Sequence, residues 1–323
     1  MEKYKVIIKP VVFLAIFALL LAWLSFVFTP KDNTKKAGMP DLRPNGILSE
    51  KENSIDVLII GDSESYISVS PMEMYEEYGI TSYVMGTNAQ KIFYSYNYLL
   101  EALDNQQPKI VILETNTFFR NLDDYQKIVS IGERYNAFLR YHDRWKKLKL
   151  NDLWKKPNYT NENIMKGYYY VTQTNSYKEQ KPKYMSNRTD KWDLPKDDEY
   201  YIRKIYKKCK ENNIELVFYT APNIKNWWTA KHNTIQDLAN ELEIDYIDTN
   251  LIPEIDIDWF TDTKDNGDHV NYYGAKKISA YLGKYLSENK KLEDHREDEY
   301  YEDWNTCLEK YKKIIEDKNI LKY

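Results

Sequence analysis

The chain opens with an unbroken apolar run, Val11 to Phe28, set between Lys3, Lys5 and Lys9 on one side and Lys31, Lys35 and Lys36 on the other. At 1.5 Å per residue a helix of this length nearly crosses a hydrocarbon core of roughly 30 Å, and Val6 to Ile8 extend it when Lys9 snorkels. The run is long for a signal peptide, and no small-x-small cleavage site follows before Pro40, so residues 1–29 read as an uncleaved single-pass anchor. Lysines at both ends leave the positive-inside rule nearly silent on orientation. Pro30 to Glu52 then mixes both charge signs with Gly38, Pro40, Pro44 and Gly46 and shows no apolar period, which reads as a linker over 30–54.

From Asp56 the pattern alternates. Short β-branched or aromatic runs fall at Asp56 to Ile60, Thr81 to Met85, Lys109 to Glu114, Glu215 to Thr220 and Asp245 to Asp248. Between them, 3.6-period stretches fall at Met72 to Tyr78, Ala89 to Asp104, Asp197 to Asn212, Thr229 to Leu242 and Tyr273 to Glu288. Strands separated by helices predict βαβ units, hence an α/β domain over 55–289 with a doubly wound parallel sheet and helices on both faces. The segment 118–194 interrupts this order. It predicts a helix over Asp123 to Lys149, then a polar, Tyr-rich stretch containing Gly167-Tyr168-Tyr169-Tyr170, and an insertion of this length serves as a lid, binding wall or partner surface. The tail 290–323 reads as a charged helix whose Trp304, Leu308, Tyr311 and Ile315 pack back on the domain.

Charge adds little. The chain holds 46 Lys and Arg against 50 Asp and Glu for a net charge of −4, which with the anchor argues against a nucleic-acid partner. Cys209 and Cys307 have no metal or redox spacing and either pair across the fold or stay reduced. No His/Asp/Glu cluster has ligand spacing, so neither a metal nor another cofactor is expected.

The stretch DVLIIGDSES, Asp56 to Ser65, carries the first candidate chemistry. Val57 to Ile60 predict a buried strand, Gly61 ends it, and Ser63 then stands at the carboxyl end of a strand, where open α/β sheets bind ligands. Alone, Gly-Asp-Ser after a strand is an ordinary turn or helix cap; it becomes a nucleophile only with a partner base. His269 offers one, in a polar loop before the last core helix, with Asp265 and Asp268 both near enough to orient it. Trp227 and Trp228 follow the strand end Thr220-Ala221-Pro222-Asn223 and are candidates to line an acceptor groove. His232, where a helix starts, reads as a structural histidine; His142 and His295, in charged contexts, read as solvated.

The ordered set of Gly61-Asp62-Ser63, Glu114-Thr115-Asn116 and His269-x-Asn271-x-x-Gly274 resembles the SGNH (GDSL-type) hydrolase superfamily. With the N-terminal anchor, the layout is most similar to its membrane-attached branch, which includes the DltD proteins of teichoic-acid D-alanylation and the alginate O-acetyltransferases. The resemblance implies Ser63 as nucleophile, His269 as general base, and Gly86 and Asn116 as oxyanion-hole donors, although Glu-Thr-Asn stands where the family has Gly-x-Asn-Asp. The family aspartate lies three residues before the histidine, where this chain has Asn266; Asp265 is preferred narrowly over Asp268. The implied activity is an extracytoplasmic serine esterase or acyltransferase working on O-acetyl or O-D-alanyl groups of a cell-surface polysaccharide or teichoic acid. An integral-membrane acyltransferase of the MBOAT type is the implied partner. The competing expectation is a non-catalytic module of the same fold that binds glycan or scaffolds an export complex.

Overall fold

The computed structural model describes residues 2–121 and 123–317. Helix α1 (Glu2–Phe28) comes first, and within it Ile8–Phe28 is the one segment among the described residues long and apolar enough to cross a membrane. The α/β unit follows as β1 (Val57–Gly61), α2 (Ser63–Ser68), α3 (Pro71–Tyr78), β2 (Ser82–Gly86), α4 (Ile92–Ala102) and β3 (Ile110–Glu114). After the insertion, which holds α5 (Asp124–Tyr135) and α6 (Ala137–Arg140), come α7 (Lys196–Glu211), β4 (Glu215–Thr220), α8 (Thr229–Leu242), β5 (Asp245–Asp248), α9 (Tyr272–Lys290) and α10 (Glu302–Glu316).

The five strands form one parallel sheet in the order β2-β1-β3-β4-β5. Side chains on a strand point alternately to the two faces, and the core divides on that period. Leu58, Ile60, Val111, Leu113, Leu216 and Phe218 lie in one cluster with α4, α7, α8 and α10. Val57, Ile59, Ile110, Ile112, Val217 and Tyr219 lie in the other with α2 and α9. Strands buried on both faces read as continuous apolar runs for this reason, and the fold is the doubly wound α/β sheet expected. The chain moves outward from β1 to β2 and returns to β3 on the opposite side of β1, so the topological switch point, where such sheets bind ligands, lies beyond the carboxyl ends of β1 and β3.

Several expectations are corrected. The helix expected over 123–149 is broken: Asn136 is extended (φ −141°, ψ 102°), ends α5 and caps α6 through its Oδ1, and residues 142–147 form a 3₁₀ turn. The stretch read as a linker is folded onto the domain, with Met39, Asn45 and Ile47 buried. Its composition is a linker's, but Glu50 is half of a buried ion pair whose Lys166 Nζ lies 2.9 Å from both carboxylate oxygens. His295 is buried, bonded to Asp56 Oδ2 at 2.8 Å and stacked 3.9 Å over Tyr301, because the tail folds back against the start of β1. His142 is exposed, both cysteines are buried and unpaired, and Trp304 and Tyr311 pack inward on α10. Residues 318–323, read as part of the tail helix, lie outside the described residues.

Candidate active site

Asp62 caps α2 by accepting the Glu64 amide at 2.9 Å, which makes Ser63 the first residue of the helix and leaves its hydroxyl at the carboxyl end of β1. Ser63 Oγ lies 2.9 Å from His269 Nε2, and His269 Nδ1 lies 2.7 Å from Asp265 Oδ2. A ring nitrogen against an ionised carboxylate carries the proton, so Nδ1 donates to Asp265 and Nε2 is left to accept from the Ser63 hydroxyl. Burial works against the Asp265 charge, but the hydrogen bonds from the His269 ring and backbone outweigh it and hold the carboxyl at about 2.

The loop that carries His269 is closed by a bridge between Thr263 and Val270 and by Thr263 Oγ1 and Lys264 N donating to the His269 carbonyl. The aspartate lies four residues before the histidine, and the loop takes up the extra residue at Asn266 (φ 64°) and Gly267 (φ 89°). A side chain at 267 would also meet Ile224 at 3.0 Å, so glycine suits both the left-handed backbone and the close approach. The insertion braces the loop from outside: Asn175 N donates to the Thr263 carbonyl and Asn266 N to the Asn175 carbonyl. Asp268 is held elsewhere. Its Oδ1 accepts from the amides of Asn223 at 3.1 Å and Asn226 at 2.5 Å, and its Oδ2 is 3.8 Å from His269 Nδ1.

Below Ser63 lies a set of acids that sequence reasoning missed. Asp62 Oδ2 accepts from Asn116 Nδ2 at 3.1 Å and from Arg120 Nε at 2.6 Å, and Glu114 Oε1 accepts the Asn116 amide at 2.6 Å. Burial first, then the charge of Asp62, pushes the Glu114 carboxyl far above the usual range. Glu64 is pushed up likewise, by burial and then by Asp62, Glu114 and Asp268; its Oε1 accepts from Asn223 at 2.6 Å and stands 3.6 Å from His269 Nε2. The Asp62 cap was legible as Gly-Asp-Ser; Arg120 and Asn223, each just past a strand end, gave no sequence signal beyond that position.

The other expected site residues divide. Asn116 sits beside Asp62 with one amide hydrogen committed there. Gly86 pairs with Gly61 at the same sheet end, and a Cβ on it would meet Ser65 Oγ and Tyr66 at 2.9 Å. Trp227 is corrected: it is 2% exposed, donates Nε1 to Asp248 at 3.0 Å and packs on Phe119, so it has no face to offer a ligand. Trp228 is half-buried, edge-on to Trp192, with Lys231 Nζ 4.3 Å over its ring. Burial lowers the Lys231 ammonium to about 8.

Glu64, Asp268 and His269 place one ligand atom each within 4.8 Å of one another, a grouping that sequence spacing did not reveal. Glu64 Oε1 accepts from Asn223, Asp268 Oδ1 accepts from Asn223 and Asn226, and His269 Nε2 faces the Ser63 hydroxyl, so hydrogen bonds within the site already engage all three side chains. A cavity of about 380 Å³ opens past the end of β2, lined by Asn88, Lys91, Tyr94, Glu101, Arg134 and Arg140.

No family model and no curated protein matches the chain. Among solved structures it is similar to a Bacteroides fragilis protein named as an acylhydrolase (11% identity, 76% of this chain and 93% of that one, TM-score 0.38). It is also similar to a GDSL-like lipase from Bacteroides thetaiotaomicron (12%, 73% and 88%, 0.36) and to an acetyl xylan esterase from Butyrivibrio proteoclasticus (10%, 74% and 65%, 0.31). Likenesses of this size leave the chemistry to this chain's own side chains.

Proposed function

We propose that the protein is a membrane-anchored, extracytoplasmic serine esterase or acyltransferase that removes or transfers O-acyl groups, acetyl or D-alanyl, of a cell-surface polysaccharide or teichoic acid. The observation that carries this reading is the continuous relay from Ser63 Oγ through His269 to Asp265, at 2.9 and 2.7 Å. Ser63 Oγ attacks the acyl carbonyl while its proton passes to His269 Nε2; Asp265 balances the imidazolium. The carbonyl C–O bond to the leaving alkoxide breaks, that alkoxide takes the proton from Nε2, and an acyl-Ser63 ester remains. Water or an acceptor hydroxyl then gives its proton to Nε2 and attacks the ester, which frees the acid or the transferred acyl product and restores Ser63. The free hydrogen of the Asn116 amide and the backbone N–H groups of Gly86 and Ser63 are the candidate donors to the oxyanion.

The anchor and the family resemblance favour a surface polymer as acceptor and an MBOAT-type membrane enzyme as donor. Incubating the detergent-solubilised full-length protein with an aryl acetate and weighing it intact tests the core of the reading. An acetyl adduct on wild type that is absent from Ser63→Ala supports it; equal adduct on both, or on neither with no turnover, overturns it. Adding a soluble glycan then separates transfer from hydrolysis by whether the acyl group appears on sugar or as free acid.

A further inference from the structure

Exposed apolar side chains gather in one region of the domain. On α5, Tyr125, Ile128, Ile131 and Tyr135 recur three or four residues apart and are 76, 72, 50 and 85% exposed. That spacing puts them on one face, and Leu139 of α6 continues the stripe. The turns that follow present Trp145, Leu150 and Trp154, each more than 60% exposed. Contiguous apolar surface of this kind marks a contact with something.

Its position says with what. Ser25 Oγ donates to Asn136 Oδ1 at 2.7 Å, at the junction of α5 and α6, and the Phe28 ring meets Phe138 edge-on at 4.8 Å. Arg144, buried and ion-paired with Asp152 at 2.8 Å, donates to the carbonyls of Val27 at 2.6 Å and Ala37 at 2.8 Å. Ser25, Val27 and Phe28 all belong to the apolar span Ile8–Phe28. A bilayer crossed by that span therefore ends at the level of the α5–α6 junction, and the exposed stripe starts there. Exposed lysines collect at the same exit: Lys36, Lys147, Lys149 and Lys155 line one shallow pocket beside it, with Asp32 and the ion-paired Asp152.

We propose that α5 and the turns over 142–154 form a platform lying on the lipid surface. Their Tyr, Trp and Ile side chains enter the headgroup–acyl boundary, where amphipathic rings are favoured, and the lysines face anionic headgroups. The inference rests on reading α1 as an anchor. Docked in this way, the 118–194 insertion fixes the height and tilt of the Ser63 site over the membrane, so that acyl groups at a set distance from the lipid surface are reached.

The test places one fluorophore per molecule on the full-length protein in vesicles of phosphatidylcholine with phosphatidylglycerol, at Ile128→Cys, at Phe17→Cys in the middle of α1, or at Asp237→Cys on α8, which packs on the opposite sheet edge. Cys209 and Cys307 are buried and out of reach of the label. Brominated acyl chains are expected to quench position 128 several-fold more than position 237, and aqueous iodide several-fold less. Should position 17 be quenched by lipid while 128 behaves as 237 does, the platform is overturned and the anchor stands. Should position 17 also escape lipid quenching, the anchor fails and takes the platform with it. Protection of 128 from both quenchers would mean a protein surface covers the stripe and would overturn the lipid as its occupant.

Discussion

Two corners of the molecule hold the same pair of groups at the same distance. His269 Nδ1 lies 2.7 Å from Asp265 Oδ2, and His232 Nδ1 lies 2.7 Å from Asp248 Oδ2. The difference is what surrounds each pair. Asp248 also accepts from Trp227 Nε1 at 3.0 Å and Tyr246 OH at 3.2 Å, and the His232 ring stacks on Tyr246, so this pair ties α8 to β5. Asp265 serves His269 almost alone, and the far ring nitrogen reaches Ser63, which belongs to β1's end and is 206 residues away in sequence. A carboxylate–imidazole pair is thus no mark of chemistry by itself. The third group, brought from another part of the chain by the sheet, separates a relay from a brace.

The largest effects follow from removing that third group or the ring it touches. Ser63→Ala and His269→Ala should each lower kcat on an aryl ester by roughly four to six powers of ten with the fold intact by circular dichroism. His232→Ala, measured the same way, should keep activity within about ten-fold and instead lose about 1–3 kcal/mol of unfolding free energy, since it leaves the buried Asp248 short of a donor. A His232 variant as inactive as the His269 one would erase the distinction. Asp265→Asn comes next. It keeps the shape but lets the ring adopt the wrong tautomer, so a loss of roughly two to four powers of ten in kcat is expected, with only about 1 kcal/mol of stability lost at neutral pH.

How much of this was legible in the chain depends on distance. Glu215 to Thr220, Asp245 to Asp248 and Thr229 to Leu242 are read to the residue because apolar period and turn residues act locally. Ser63, His269 and Asp265 were named because strand ends and a polar loop before a helix are local features too. What stayed hidden is set by partners far along the chain: Glu50 by Lys166, His295 by Asp56, Asp62 by Arg120, and Trp227 by Asp248. In each case the side chain is buried by a contact no window contains, although composition assigns Glu50 to a linker, His295 to solvent and Trp227 to a groove. The choice between Asp265 and Asp268 needed the left-handed backbone at Asn266 and Gly267, which sequence spacing does not reveal.

The carboxyls around Ser63 sharpen the comparison through pH. Asp265, held at about 2 in the fold against 3.8 ordinarily, gives stability that is complete above pH 4 and is lost as pH falls toward 2. With nearly a third of its side chain exposed the increment is about 1 kcal/mol, and Asp265→Asn should remove that acid-side slope in denaturant titrations. Glu114 runs the other way. Its raised carboxyl gives a contribution fully present below the ordinary carboxylate range and lost as pH rises through its elevated value, so Glu114→Gln should flatten the fall in stability from acid toward alkaline pH. If both variants moved the profile in the same direction, the opposed environments read from the geometry would be wrong.

The smallest effect belongs to the carboxylate that sequence alone left in contention. Asp268 is bound to Asn223 and Asn226, and its nearer oxygen stands 3.8 Å from the ring nitrogen that Asp265 holds at 2.7 Å. Asp268→Asn should therefore change kcat/KM by less than about ten-fold, through a slight loosening of the loop and not through the tautomer. The pH profile separates the two causes: a positioning defect lowers the plateau without moving the limbs, whereas loss of the orienting charge moves the acid limb as well. A cost equal to that of Asp265→Asn, with the limb displaced, would mean that the ring turns from Asp265 to Asp268 when substrate is bound. The orienting role would then pass to Asp268.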